Sequence, residues 1–315
     1  MATEYISARF ADLDAWATLE AVEAMYEGQL AAVAAVRPVL AAIARAADDA
    51  AATLGEQGRL VYVGAGTSGR VAVQDGAELP PTFDWPAKQL VFAMAGGPDA
   101  LMMSAEGAED DKGAAVRRMA EAKVGKGDVV IGVAASGTTP FTVAAVRRAA
   151  ELGATTVAVA NNPDAPLLAA AKHPILVETG GEVIAGSTRM KAGTAQKVVL
   201  NLLSTAIMIR LGRVYRGMMV NMHATNTKLR HRAEVMVAFI TGCKASDAAR
   251  ALARADGDVR LASIMVFGPD RDMAEAILDR HKGSLRRALA EIERLERREG
   301  TAKRGAKRAR GRRSP

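Results

Sequence analysis

The 315-residue chain is predicted to be an α/β protein built on a doubly wound, five-stranded parallel sheet flanked by helices, with a small helical carboxyl-terminal subdomain. Three observations carry this expectation. Five short runs rich in Val and Ile recur along the chain, Ala-rich stretches with helical periodicity separate them, and the strand ends are followed by loops of Gly, Ser and Thr. Each run is apolar almost throughout, as a strand covered on both faces must be. Strand–helix alternation of this kind is the pattern of a parallel sheet with helices on both sides.

Ahead of the sheet, residues 12–54 read as two long helices, LDAWATLEAVEAMYEGQ and LAAVAAVRPVLAAIARAADDAAATL. The strands are RLVYVGAG (59–66), KQLVFAMAG (88–96), DVVIGVAAS (128–136), TTVAVANN (155–162) and HPILVETG (173–180). Helices are expected between them, notably over 99–122 and 139–152, and one starts at Ser68 after the first glycine turn. A long helix follows over 190–211; its apolar run VVLNLLSTAIMI (198–209) is shorter than a membrane span of roughly 20 residues and reads as buried. Over 232–296, short amphipathic helices are separated by GCKAS, DGD and FGPD. The chain thus divides into amino-terminal helices (1–54), a ligand-binding α/β domain (55–220), a helical subdomain (221–298) and a basic tail (299–315).

Composition narrows the function classes. The net charge of +7 belongs to the tail: residues 301–315 hold seven basic residues and no acid, and removing seven of 42 leaves 35 against 35 acidic ones. That tail reads as disordered and is the only feature favouring nucleic acid or an anionic surface as a partner. The lone Cys243 excludes an internal disulfide. The amino end, MATEYISARFADLD, has no basic segment followed by an apolar one, so a cytoplasmic protein is expected. No spacing among the four histidines suggests a metal site, and none is expected.

Ligands of an open parallel sheet sit at the carboxyl ends of its strands. Three hydroxyl-rich loops fall there or just beyond: GAGTSG (64–69), SGTTP (136–140) and GSTRMKAGT (186–194). Glycines let the backbone approach a ligand, hydroxyls donate hydrogen bonds, and a following helix offers unpaired N–H groups to an anion. The binding candidates are therefore Gly66, Thr67, Ser68, Ser136, Gly137, Thr138, Thr139, Ser187, Thr188 and Lys191. Ser187 and Thr188 could equally cap the helix that follows, and Lys191 could be a surface lysine. The first loop does contain GxGxxG, but the second strand ends in AMAGG and lacks the acid that a dinucleotide ribose requires. A sugar phosphate is the better match.

The combination GAGTSGR, AELPPTF, AEDD, AASGTTP, GEVIAGSTRMKAGTAQK and ATNTKLR closely resembles the N-acetylmuramic acid 6-phosphate etherase family of the sugar isomerase (SIS) fold, from about residue 5 to about 295. Gly76 departs from it, standing where a Ser or Ala is expected. The resemblance implies cleavage of the D-lactyl ether at C3 of the sugar, giving N-acetylglucosamine 6-phosphate and D-lactate. It also implies an SIS-type sheet, a homodimer, Glu78 as general acid and Glu109 as the base at C2, with no cofactor. Taken alone, Glu78 and Glu109 would read as solvated helix residues. Glu78 follows Asp75 by three residues on one expected helix face, and Pro80-Pro81 is expected to end that helix. His223 is an outside candidate for opening the sugar ring. Two rivals share the fold: an aldose–ketose isomerase, and a non-catalytic sugar-phosphate sensor like the glucokinase regulatory protein.

Overall fold

A computed structural model describes residues 1–295 and 297, apart from 56, 104 and 223–226. His223 and the basic tail lie outside the described residues. In chain order the elements are α1 (Thr18–Ala34), α2 (Leu40–Leu54), β1 (Leu60–Gly64), α3 (Gly66–Ala77), α4 (Leu79–Phe83), β2 (Leu90–Met94), α5 (Lys112–Glu121) and β3 (Val129–Val133). There follow α6 (Pro140–Glu151), β4 (Thr155–Ala160), α7 (Pro166–Ala170), β5 (His173–Leu176), α8 (Lys191–Arg210), β6 (Val214–Tyr215) and β7 (Met218–Met219). The last helices are α9 (Thr227–Thr241), α10 (Ala245–Arg254), α11 (Val259–Met265) and α12 (Arg271–Arg280), with helical residues again at 285–295.

All five expected strands form one parallel sheet in the order β2-β1-β3-β4-β5. Its two faces bury different partners. Val61, Val63, Ala93, Val130 and Ala158 pack with Met119 of α5 and Phe141 and Val146 of α6. Tyr62 points the other way, where its hydroxyl reaches Asp75 of α3. On that side α8 packs against α1, α2 and α3. The chain reverses its winding between β1 and β3, and such a switch point opens a crevice beyond the carboxyl ends of those two strands.

Several boundaries differ from expectation. The amino-terminal helices break at a tight turn over Arg37–Val39 instead of after Gln29, because Pro38 has no N–H to donate and starts a new turn. Residues 99–122 are helical in part only. Pro98–Leu101 and Ala108–Asp110 are single tight turns, each preceded by a glycine at positive φ (Gly97 at 75°, Gly107 at 70°), and α5 begins where Asp111 accepts the Ala114 N–H at 2.8 Å. The final long helix runs for 20 residues, beyond its apolar run. By length and composition Thr18–Leu54 and Lys191–Arg210 could each cross a membrane. α8, however, buries Gln196 and Ser204 among its neighbours. The antiparallel hairpin β6–β7 was not predicted; Arg216 and Gly217 turn it with both φ positive, at 48° and 77°.

The chain divides into two compact units: Met1–Pro80 with Trp85–Arg210, and Pro81–Asp84 with the chain from Leu211 onward. The second has its own core, in which Val220, Met236, Val237, Leu252, Ile264 and Leu285 are buried. Within it Arg213 donates to the carbonyls of Phe83 and Asp84 at 2.7 and 2.8 Å, holding those residues to the helical unit.

Gly76 now has a physical reason. A Cβ there would lie 2.6 Å from Phe92 Cε1 and 2.8 Å from Tyr62 Cε2. Gly76→Ser, which restores the expected family residue, overpacks this contact and should destabilise the protein by about 1–3 kcal/mol, read from urea denaturation. An unchanged midpoint would mean that the two rings yield freely.

Candidate functional site

The loop after β1 is shaped by close backbone approach. A Cβ on Gly64 would fall 2.8 Å from both N and Cα of Gly69, so glycine is required for α3 to start directly on the strand end. α3 begins at Gly66 (φ 50°), two residues earlier than expected. Its cap residue, Ala65, makes no side-chain cap bond, which leaves the first-turn N–H groups of Gly66, Thr67 and Ser68 without a side-chain acceptor. Gly66 is exposed, Thr67 half-buried and Ser68 buried.

After β3, the SGTTP turn folds on itself. Ser136 Oγ accepts from the Thr138 N–H at 3.2 Å and from its hydroxyl at 3.1 Å. Gly137 holds φ 67° and sits so close to Ala165 that an added Cβ would lie 2.3 Å from that methyl. Thr139 precedes α6 without capping it through its side chain, and Pro140 takes the first helical position. Thr138 and Pro140 open on a cavity of about 520 Å³ that Lys112, Arg147 and Arg148 also line.

The third loop differs from expectation. Neither Ser187 nor Thr188 caps α8. Buried Glu182 does so, with Oε2 accepting the Lys191 N–H at 2.9 Å and Oε1 the Ala192 N–H at 3.0 Å. The Lys191 ammonium donates to the Gly181 carbonyl at 2.9 Å. The start of α8 also meets the first loop, since a Cβ on Gly193 would contact Thr67 Cγ2 at 3.4 Å.

Glu109 is exposed on the turn before α5 and lines a cavity of about 300 Å³ with Gly66, Arg70, Met94 and Glu106. Arg70 fixes this arrangement. Its Nε and Nη2 donate to the carbonyls of Leu101 and Ala100, both at 3.0 Å, and so tie the segment leading to Glu109 onto α3. Glu78 lies elsewhere. It is the exposed residue that closes the carboxyl end of α3, while Pro80 and Pro81 lie within α4 and do not end the helix beyond it. Twelve helical residues, about 18 Å at 1.5 Å each, separate Gly66 from that end. Nor do Asp75 and Glu78 share a face: Asp75 is buried, accepting from the Tyr62 hydroxyl at 3.0 Å and from Ser204 Oγ at 3.3 Å. Burial raises the Asp75 carboxyl above its ordinary value, against those hydrogen bonds and the charge of Lys197. Among the described residues, no group of three or more His, Cys, Asp or Glu side chains is placed to hold a metal ion. Arg70 and Glu182 were missed as organising residues, although both lie inside quoted motifs: Arg70's partners Ala100 and Leu101 are remote in sequence, and Glu182 reaches the α8 start only through the fold of its loop.

The glucokinase regulatory protein N-terminal SIS domain matches residues 42–150, and the SIS domain matches residues 110–206. The chain is 46% identical over 294 residues to the N-acetylmuramic acid 6-phosphate etherase of Deinococcus radiodurans, covering 93% of this chain and 96% of that one. It is 51% identical over 256 residues to the protein of the same name from Symbiobacterium thermophilum, covering 81% of this chain and 85% of the relative.

The raised Asp75 carboxyl fixes a pH dependence. The folded chain keeps this proton to a higher pH than the unfolded chain, whose ordinary value is 3.8, so Asp75 weakens folding as pH rises from there through its raised value. Thermal midpoints of Asp75→Asn and wild type should therefore diverge in the variant's favour across that interval and then run parallel. Divergence as pH falls would contradict the assignment.

Proposed function

The chain belongs to the N-acetylmuramic acid 6-phosphate etherase family, and on that premise we propose how its residues divide the reaction. It is a carbon–oxygen lyase that removes the lactyl ether of N-acetylmuramic acid 6-phosphate, giving N-acetylglucosamine 6-phosphate and D-lactate. The family relatives that cover nearly the whole chain carry the etherase name, and neither rival activity is retained.

Direct displacement of an ether at a ring carbon is slow. In the open-chain aldehyde the C2 proton lies beside a carbonyl and is acidic. A carboxylate takes that proton, the C3–O bond breaks, its electron pair leaves on the lactyl oxygen, and a carboxylic acid protonates that oxygen. Water then adds across the C2=C3 bond, hydroxyl to C3 and proton to C2. Two carboxyl groups in opposite protonation states suffice. Glu109 is assigned as the base and Glu78 as the acid. The observation that supports the first assignment is the cavity shared by Glu109 and Gly66. The phosphate is assigned to the start of α3 and the SGTTP turn, where Gly66, Thr67, Ser68, Ser136, Gly137, Thr138 and Thr139 offer N–H and hydroxyl donors. Ser187, Thr188 and Lys191 complete the binding set from the start of α8.

Glu78, about 18 Å along α3 from Gly66, is too far to serve a sugar held at its own chain's loop. We therefore assign it to the site of a second copy in a homodimer. An apolar stripe on α1 supports such a partner: Leu19, Val22, Tyr26, Leu30 and Val33, at helical spacing, are each about half exposed or more. The phosphorylated substrate and the single unpaired Cys243 suit a cytoplasmic step in recycling cell-wall amino sugars.

Wild type should release D-lactate from N-acetylmuramic acid 6-phosphate, and Glu78→Ala and Glu109→Ala should each lose at least about a hundredfold in rate. Exchange of the C2 proton with solvent should survive in Glu78→Ala and vanish in Glu109→Ala. Mixing the two inactive variants should restore about a quarter of wild-type release, because random pairing leaves that share of sites with both glutamates. No release by folded wild type would refute the reaction, and no recovery on mixing would refute the shared site.

A further inference from the structure

We propose that Glu182 is a positioning residue for this reaction: a buried carboxylate whose two oxygens fix the first turn of α8, and with it the segment 186–191 that bears Ser187, Thr188 and Lys191. The inference deepens the reading above and rests on it. Glu182 is 1% exposed, with Oε2 on the Lys191 N–H at 2.9 Å and Oε1 on the Ala192 N–H at 3.0 Å. An ionised carboxylate at a helix amino end gains from the helix dipole as well as from these bonds. The neighbouring Gly181 carbonyl takes the Lys191 ammonium at 2.9 Å, so residues 181 and 182 hold Lys191 by both its backbone and its side chain. Between these anchors the loop is closed by its own backbone, with Ser187 N–H on the Ile184 carbonyl at 3.0 Å and Thr188 N–H on that of Gly186 at 2.9 Å.

Two consequences follow for the chemistry. With its first N–H groups satisfied internally, α8 offers no vacant anion seat, whereas the start of α3 has no side-chain cap. The phosphate is thereby directed to α3 and the SGTTP turn. Ser187 and Thr188, relieved of capping, keep their hydroxyls for the ligand at positions that Glu182 sets. Gly193 stands near the first loop, where an added Cβ would lie 3.4 Å from Thr67 Cγ2. Loss of the carboxylate would free the loop without touching any reacting atom.

The test uses the full chain in three variants: Glu182→Gln, Glu182→Ala and, as a control on α8 packing alone, Leu203→Ala, which removes a fully buried side chain. In Glu182→Ala, kcat/KM for lactate release should fall roughly ten- to hundredfold, mainly through KM. Glu182→Gln, keeping one acceptor oxygen, should fall less. Leu203→Ala should lower the thermal midpoint and leave KM unchanged. Amide exchange at Lys191 and Ala192 should accelerate in Glu182→Ala while the sheet stays protected. Wild-type KM and kcat in a folded Glu182→Ala would overturn the proposal and leave the etherase reading standing. If wild type releases no lactate, that reading fails instead. Calorimetric binding of N-acetylglucosamine 6-phosphate then decides, and equal affinity in wild type and Glu182→Ala overturns the positioning role. Should Glu182→Ala not fold, Glu182→Gln carries the same comparison.

Discussion

α8 is covered along much of its length, and the hydrogen bonds made by its amino end and by the polar groups it carries inward organise the first unit. Its amino end is closed by Glu182. One turn on, Gln196 Nε2 donates to Asn161 Oδ1 at 2.9 Å, and Asn161 in turn donates to the Val177 carbonyl at 2.9 Å, joining the ends of β4 and β5. Two turns further, Ser204 donates to Asp75 of α3, which also takes the Tyr62 hydroxyl of β1. The bonds made by Gln196, Asn161, Ser204 and Tyr62 are buried, so losing one partner would carry a desolvation penalty. The capped amino end of α8 and its two buried polar residues, Gln196 and Ser204, therefore tie the strand ends, α3 and the hydroxyl-rich loop to one helix.

Much of this was legible in the sequence, for physical reasons that also mark where it stopped. The strands showed because a strand covered on both faces tolerates few polar residues, as Leu60–Gly64 and Val129–Val133, buried throughout, illustrate. The loops after β1 and β3 showed because Gly64 and Gly137 stand where a side chain has no room. Partners remote in sequence did not show. Glu182 looks like an ordinary loop acid until the fold brings it to the start of α8, and Arg70 looks like a surface cation until it meets the carbonyls of Ala100 and Leu101. Local periodicity also overstated the helix across 99–122, where the positive φ of Gly107 interrupts it. The pairing of Asp75 with Glu78 failed similarly: a separation of three suggests one face, but α3 ends at Ala77 and Glu78 points to solvent.

The carboxylates of the first unit sort by how their charge is accommodated. Asp128 is held by Arg59, Nε on Oδ1 at 3.0 Å and Nη2 on Oδ2 at 2.7 Å, a bidentate pair. Glu182 uses helix N–H groups, and Asp75, raised above its ordinary value by burial, has hydroxyl donors around it. All three are fully engaged by the chain itself. Glu78 and Glu109 are exposed, and an acid that must exchange protons with a sugar has to be reachable. Burial therefore separates the acids that build the scaffold from those available to the chemistry, a distinction that charge and spacing alone cannot make.

The length of α3, which separates Glu78 from the cavity that Glu109 shares with Gly66, is a further constraint on how the proposed acid and base can meet one sugar. A helix that starts on the loop proposed to hold the phosphate and runs back along the sheet must carry its last residue away from that loop, whatever its sequence. Under the proposed assignment, an acid at its carboxyl end serves a ligand held by a second copy. Two-fold pairing meets that need economically, because an isologous interface that sets Glu78 of one copy beside the cavity of the other does the same in reverse, completing two sites at once. The exposed stripe from Leu19 to Val33 is the surface on which such pairing would bury apolar area. On this reading α3 serves both copies, its amino end holding phosphate in one site and its carboxyl end delivering a proton in the other.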